Sequence, residues 1–285
     1  MSLTIRTARP EDAAAAGPIC EAAFRTIAGR HAFPPDFPSA EVATGLVAAL
    51  IARDDVHAVV AEVDGRVVGS NFLWEGSVIA GVGPITVDPQ LQDAGVGRRL
   101  MHAVLERAEA RGAAGVRLLQ AGYHMRSMSL YAKLGFDVRE PLLTLRGPAL
   151  NLEVPGRRVR PASERDLAAC ERLHVEVHGF ERSAELRAAI RAETALVAEQ
   201  GGEITGYATQ LGFFGHALGR GNDDLKALIG AAPGFAGPGF MLPTRNAEQL
   251  RWCLAHGLRA VQPMTLMSRG LYQAPAGAAL PSILF

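Results

Sequence analysis

The stretch Val87–Met101, "VDPQLQDAGVGRRLM", holds the residues best suited to chemistry. Gln92, Gly95 and Gly97 stand in the spacing Q-x-x-G-x-G. A β-like run, Val78–Val87, precedes them and an amphipathic pattern follows at once. A helix start leaves backbone N–H groups unpaired and carries a partial positive charge. It becomes an anion site when side chains stay clear of it. Gly95 and Gly97 clear that space, and Arg98 offers charge-assisted bonds. The chemistry this pattern suits best is the holding of a pyrophosphate. A P-loop would need G-K-[ST], where this chain has Arg98 and Arg99. A dinucleotide fingerprint needs a third glycine, which both "GVGPIT" and "GVGRRL" lack. An ordinary glycine-containing helix entry is the other reading of the loop alone.

The elements around the loop follow from periodicity. A strand at Thr4–Thr7 leads to a helix opened near Asp12, and a Pro-rich loop, "HAFPPDFPS", precedes a helix at Ala40–Arg53. Asp64-Gly65 marks the turn of a hairpin. The helix after the glycines runs to about Arg111, with Val96, Leu100, Val104 and Ala108 on one face. "GVRLLQA" reads as a strand, "MRSMSLYAKLG" as a helix and "DVREPLLTL" as a last strand. Strands and helices in this order predict an α+β or mixed α/β fold.

The two halves of the chain rhyme. "IRTARPED" and "VRPASERD" share Arg6, Ala8 and Asp12 against Arg160, Ala162 and Asp166. "VAEVDGRVVG" and "VAEQGGEITG" share V-A-E-x-x-G-x-x-x-G, and "HMRSMSLYAKLGF" and "NAEQLRWCLAHGL" both end a helix at a glycine, Gly135 and Gly257. The same order of three matches points to a duplication. The expected division is 1–148, a linker at 149–158 where Pro and Gly cluster, and 159–285.

Composition narrows the classes. The chain has 285 residues, 48% of them apolar, which suffices for two ordinary domains with cores. A formal net charge of zero argues against nucleic acid or an anionic membrane surface as the main partner. The three cysteines, Cys20, Cys170 and Cys253, are far apart and form neither a disulfide framework nor a metal motif, so no metal is expected. With no signal-peptide pattern and no transmembrane stretch, the expected setting is the cytoplasm.

"ITVDPQLQDAGVGRRLM" followed some thirty residues later by "SLYAKLGF" resembles the paired signature motifs of the GNAT acyltransferase superfamily. The resemblance covers residues 3–147. It implies two GNAT-like domains, each a mixed, mostly antiparallel sheet flanked by helices. It implies that Ile85, Thr86 and Val87 pair with a pantetheine arm, and that Gln92, Asp93, Ala94, Gly95, Val96, Gly97 and Arg98 form the pyrophosphate loop of acetyl-CoA, the cosubstrate. Tyr131 matches the tyrosine beside the thioester sulfur. An amine attacking a thioester needs backbone N–H groups for the oxyanion and an acid for the departing sulfur. Tyr131 suits the second task. His124, an imidazole, and Glu75, a carboxylate at a strand end, are candidate bases for the amine; a cap or a solvated turn residue is the plainer reading of each.

The chain departs from the family at Asp93 and Ala94, where Gly or a basic residue is usual, and at His124, where Asn often starts the helix. A negative Asp93 predicts weaker CoA binding. The second half resembles the family more faintly: it lacks Q-x-x-G-x-G, and Cys253 stands where Tyr131 is expected. Its "GRGNDDLKALIG" puts Asp223 and Asp224, which suit helix capping, where a phosphate would have to sit. The expected function is acetyl transfer from acetyl-CoA to a small-molecule amine by the first half. The competing function is a non-catalytic CoA sensor or scaffold. The uncharged tail "LYQAPAGAALPSILF" is expected to dock as an extended strap, inside the chain or in a homodimer; the plainer reading is a last strand.

Overall fold

Asp64 and Gly65 both adopt left-handed backbone, φ 48° and 79°, and fold the chain tightly back on itself between two strands. Around this hairpin the first half builds its sheet. The structure is a computed structural model describing residues 2–92 and 94–284. Asp93 of the expected loop and Phe285 of the tail lie outside the described residues.

In the first half the elements are β1 (Leu3–Thr7), α1 (Ala13–Arg30), α2 (Ala40–Ile51), β2 (Val56–Val63), β3 (Arg66–Trp74), β4 (Ile79–Val82), β5 (Thr86–Val87), α3 (Val96–Ala110), β6 (Gly115–Ala121), α4 (Met125–Lys133) and β7 (Asp137–Arg146). The second half gives β8 (Arg158–Pro161), α5 (Leu167–His178), α6 (Ser183–Arg191), β9 (Leu196–Gln200), β10 (Glu203–Ala208), β11 (Ala217–Gly219), α7 (Asn222–Ala231), β12 (Phe240–Pro243), α8 (Ala247–Ala255), β13 (Arg259–Gly270) and β14 (Ala278–Leu280). The strand–helix order of the first half recurs in the second, with β4 and β5 together answering to β11. The protein is α+β, with mostly antiparallel sheets flanked by helices, as the sequence predicts.

By contacts the chain divides into two compact units. The first comprises residues 1–118, 123–136 and 268–271; the second comprises 119–122, 137–267 and 272–285. In the first unit the strands run β1-β2-β3-β4-β6, antiparallel except for β4 beside β6, and β5 pairs with β3. The Ser268–Gly270 end of β13 follows β6, and the Leu271 N–H donates to the Ala114 carbonyl at 2.9 Å. In the second unit β7 pairs antiparallel with β12, with Leu145 opposite Phe240, and a second sheet runs β14-β11-β10-β9-β8. Strand β7, which the sequence assigns to the end of the first half, therefore groups with residues of the second.

Helix α3 buries Val96, Leu100, Met101, Val104, Leu105 and Ala108, the face its periodicity predicts. The rhyming residues of the two halves make the same contacts in each unit. Arg6 binds Asp12 at 2.7 Å and Glu62 at 2.6 Å; Arg160 binds Asp166 at 2.8 Å and Glu199 at 2.7 Å. Each aspartate also accepts a backbone N–H three residues earlier, from Arg9 or Ser163, and so closes the turn that opens the first helix of its half. The duplication read from sequence is thus a repeated ion triad.

The tail belongs to the second unit. Ala278–Leu280 pair with β11 as an edge strand, Leu284 is buried, and the Arg182 guanidinium donates to Ser282 Oγ at 3.1 Å. The extended strap is thus in part a regular strand, the plainer of the two readings of the tail. Among the described residues no helix is long and apolar enough to cross a membrane.

Candidate functional site

Strands β4 and β6 run parallel for only three residues, from Ile79 opposite Gly115 to Gly81 opposite Arg117. The chain then breaks at Gly83–Pro84 and resumes as β5, which pairs with β3 through Ser70 and Gly69. Among the described residues β5 has no strand on its other side. Its backbone amides there are free to pair with an extended ligand. Ile85 sits in the break; Thr86 is buried and its hydroxyl lies 3.2 Å from Ser70 Oγ.

After Val87 the Asp88 carboxylate accepts the Gln90 N–H at 3.0 Å and shapes the turn into the glycine loop. Gln92 Nε2 donates to the Val87 carbonyl at 3.5 Å, and its Oε1 accepts from the Arg126 guanidinium of α4. Gly95 has φ 79° and no side chain to cap the helix, so α3 starts bare. The first intrahelical bond is donated by Arg99 to Gly95. The N–H groups of Val96, Gly97 and Arg98 are the orphans of the first turn. A methyl placed on Gly95 would meet nothing within 4 Å. One placed on Gly97 would touch Val87 Cγ2 at 3.7 Å and Leu130 Cδ2 at 3.8 Å. So loop, strand and α4 converge at Gly97. Ala94 and Arg98 are exposed, and Arg98 has no ion-pair partner among the described residues.

Tyr131 follows Leu130 on α4 and is 5% exposed, its ring 6.2 Å from that of Phe136. Burial pushes its phenol upward, so it is protonated at neutral pH and can act as an acid. His124 begins α4 without capping it. Burial first, then the charges of Arg126, His31 and Arg30, push its imidazole down to about 4, so it is neutral near pH 7. Both residues belong to the unit that carries the glycine loop.

Glu75 is occupied elsewhere. Its side chain is 7% exposed and clamped by Arg107 at 2.7 Å and Arg111 at 3.3 Å. Arg107 stands ten residues along α3 from Gly97, about 15 Å at 1.5 Å per residue. The turn carboxylate is therefore a clamp for the far end of α3, and the structure does not bring it to the loop.

Two features escape the sequence reading. Arg126 adds a second cation at the loop; a basic residue one turn before Tyr131 is its only sequence signal. Tyr123, next to His124, stacks on Phe33 of the Pro-rich connection with ring centroids 4.3 Å apart.

The second unit closes the equivalent helix start. Asp224 of α7 accepts the Gly221 N–H at 3.0 Å, the Thr205 hydroxyl at 2.6 Å and Arg157 Nε at 2.7 Å. A buried carboxylate thus fills the place that is bare in α3. Asn246 caps α8 through the Gln249 N–H at 3.3 Å, and Cys253 is buried, its thiol pushed up by burial to about 11. Among the described residues no cluster of His, Cys, Asp and Glu suits a metal ion.

Residues 27–136 match the model of the acetyltransferase (GNAT) family. Over the full length the fold is similar to a protein from Pyrococcus horikoshii assigned to the acetyltransferases, at TM-score 0.73 and 17% identity, covering 97% of this chain and 94% of that one. A GCN5-related N-acetyltransferase from Sphaerobacter thermophilus is similar at TM-score 0.62 and 15% identity, covering 95% and 96%. A GNAT family acetyltransferase from Brucella melitensis, solved in complex with acetyl-CoA, is 30% identical over 48% of this chain and 83% of that one, at TM-score 0.36. Among curated proteins no relative matches. The family model over the unit that carries the bare helix start, with the 30% identity there, places the chain: it belongs to the GNAT acetyltransferase family.

Proposed function

We propose that the first unit transfers an acetyl group from acetyl-CoA to a small amine. The observation that carries the reading is the bare start of α3, flanked by Arg98 and Arg126 and packed against the helix that bears Tyr131. These parts fit the cosubstrate. The N–H groups of Val96, Gly97 and Arg98 hold the pyrophosphate, and the unpaired edge of β5 takes the amides of the pantetheine arm. Bound there, acetyl-CoA supplies an activated thioester carbonyl.

The residues of the chain do the rest. Free N–H groups along Ile85–Val87 stabilise negative charge on the carbonyl oxygen. Tyr131 gives its proton to the sulfur as the C–S bond breaks and the C–N bond forms. Neutral His124 receives a proton from the attacking amine and returns it to solvent. Binding is confined to the first unit, because Asp224 occupies the matching position of the second. The division of labour follows the duplication: residues 1–148 carry the reaction, and residues 159–285 are a degenerate GNAT-like repeat.

Release of free thiol from acetyl-CoA, measured across a panel of amines, tests the reading. Amine-dependent release is expected. Tyr131→Phe lowers turnover at least about tenfold, the low side of the usual 10²–10⁴ for an acid–base group, with acetyl-CoA affinity kept. Tight acetyl-CoA binding without thiol release for any amine would favour the sensor instead.

A further inference from the structure

The Pro-rich connection between α1 and α2, residues 31–39, carries no motif, yet it meets the segment that leads into α4. Phe33 lies nearly parallel to Tyr123, with 9° between the rings. His31 leans on the same tyrosine, centroids 5.3 Å apart. Tyr123 is 9% exposed, and its hydroxyl finds no hydrogen-bond partner among the described residues. Buried hydroxyls are almost always satisfied by protein or water, and an orphan calls for a ligand or an ordered solvent molecule. Asp36 lies near enough for its charge to bear on the phenol. Burial first, and Asp36 second, push that phenol up to about 12. Tyr123 therefore stays a neutral hydroxyl that can donate or accept.

The chemistry of these groups selects a ligand. A carboxylate and a phenol oxygen together accept two N–H bonds from an ammonium. The paired rings of Phe33 and Tyr123 favour a flat apolar body or a cation over their faces. His124, the proposed proton acceptor, is the next residue after Tyr123. Resting on the acetyl-transfer reading, we propose that Asp36, Phe33 and Tyr123 form the acceptor subsite and that it takes an arylalkylamine, its ammonium on Asp36 and the Tyr123 hydroxyl and its ring along Phe33.

The test is calorimetric titration of the full chain, saturated with CoA, with 2-phenylethylamine. Binding is expected in the wild type. Tyr123→Phe and Asp36→Asn each weaken it at least tenfold, while CoA binding is unchanged in both. Tyr123→Phe also leaves the melting temperature of the ligand-free protein unchanged or higher, because it removes an unpartnered buried hydroxyl. Equal amine affinity in all three proteins, or no amine binding by a wild type that binds CoA, overturns the subsite and leaves the acetyl-transfer reading standing. A lowered melting temperature with lost CoA binding in Tyr123→Phe assigns the tyrosine a structural role and overturns it too. A wild type that binds no CoA overturns both.

Discussion

Gly95 should separate the backbone requirement of the loop from its electrostatic one. Its φ of 79° lies in the left-handed region, while a methyl there would meet nothing within 4 Å. Gly95→Ala therefore adds conformational cost without a clash, about 1–2 kcal/mol for an L-residue in that region. For a chain of this size each kcal/mol moves the melting temperature by about 2–4 °C, so a fall of roughly 2–8 °C is expected. Gly95→Glu bears the same backbone cost and adds a negative charge in front of the orphan N–H groups. Two like charges about 4 Å apart repel by about 4 kcal/mol at an effective dielectric of 20, a loss of roughly a thousandfold in affinity. Thermal melts and acetyl-CoA titrations of the two variants give the comparison. Similar melting losses with acetyl-CoA binding abolished only by glutamate fit the reasoning. An unchanged melt for Gly95→Ala refutes the conformational part, and wild-type affinity in Gly95→Glu refutes the placement of the pyrophosphate.

Other perturbations probe the rest of the molecule. Asp224→Ala strands Arg157 in a largely buried position and should cost about 3–5 kcal/mol in urea unfolding, without creating a second acetyl-CoA site. Hydrogen bonds from Arg160 hold the Asp166 carboxyl at about 2, below its ordinary 3.8, so its contribution to stability is complete above about pH 4 and is lost as pH falls towards 2. Asp166→Asn should flatten the stability–pH curve across that window, and an unaltered acid limb would argue against the triad. Deleting residues 276–285 removes β14 and the buried Leu280 and Leu284, worth about 1.5–3 kcal/mol each, and should lower the melting temperature by several degrees; an unchanged melt would show the tail to be dispensable.

What could be read in the sequence was local or repeated. The Q-x-x-G-x-G spacing located the bare helix start, because two glycines after a strand leave little else to build. The Arg6–Asp12 and Arg160–Asp166 matches marked the duplication, because the repeated types serve repeated ion triads. The placing of β7 beside β12 could not be read: alternation says which face of a strand is buried and nothing about which strand lies beside it. Glu75 looked available at a strand end because its partners, Arg107 and Arg111, lie more than thirty residues away. Tyr123 was passed over for a similar reason, since its stacking partner Phe33 comes from a connection with no periodicity.

The stoichiometry of acetyl-CoA binding tests the central claim most directly. The bare α3 start and the Asp224-filled α7 start predict one acetyl-CoA per chain by calorimetry, competed by free CoA and lost in Gly95→Glu. Two acetyl-CoA per chain, or one that survives Gly95→Glu, would contradict the account.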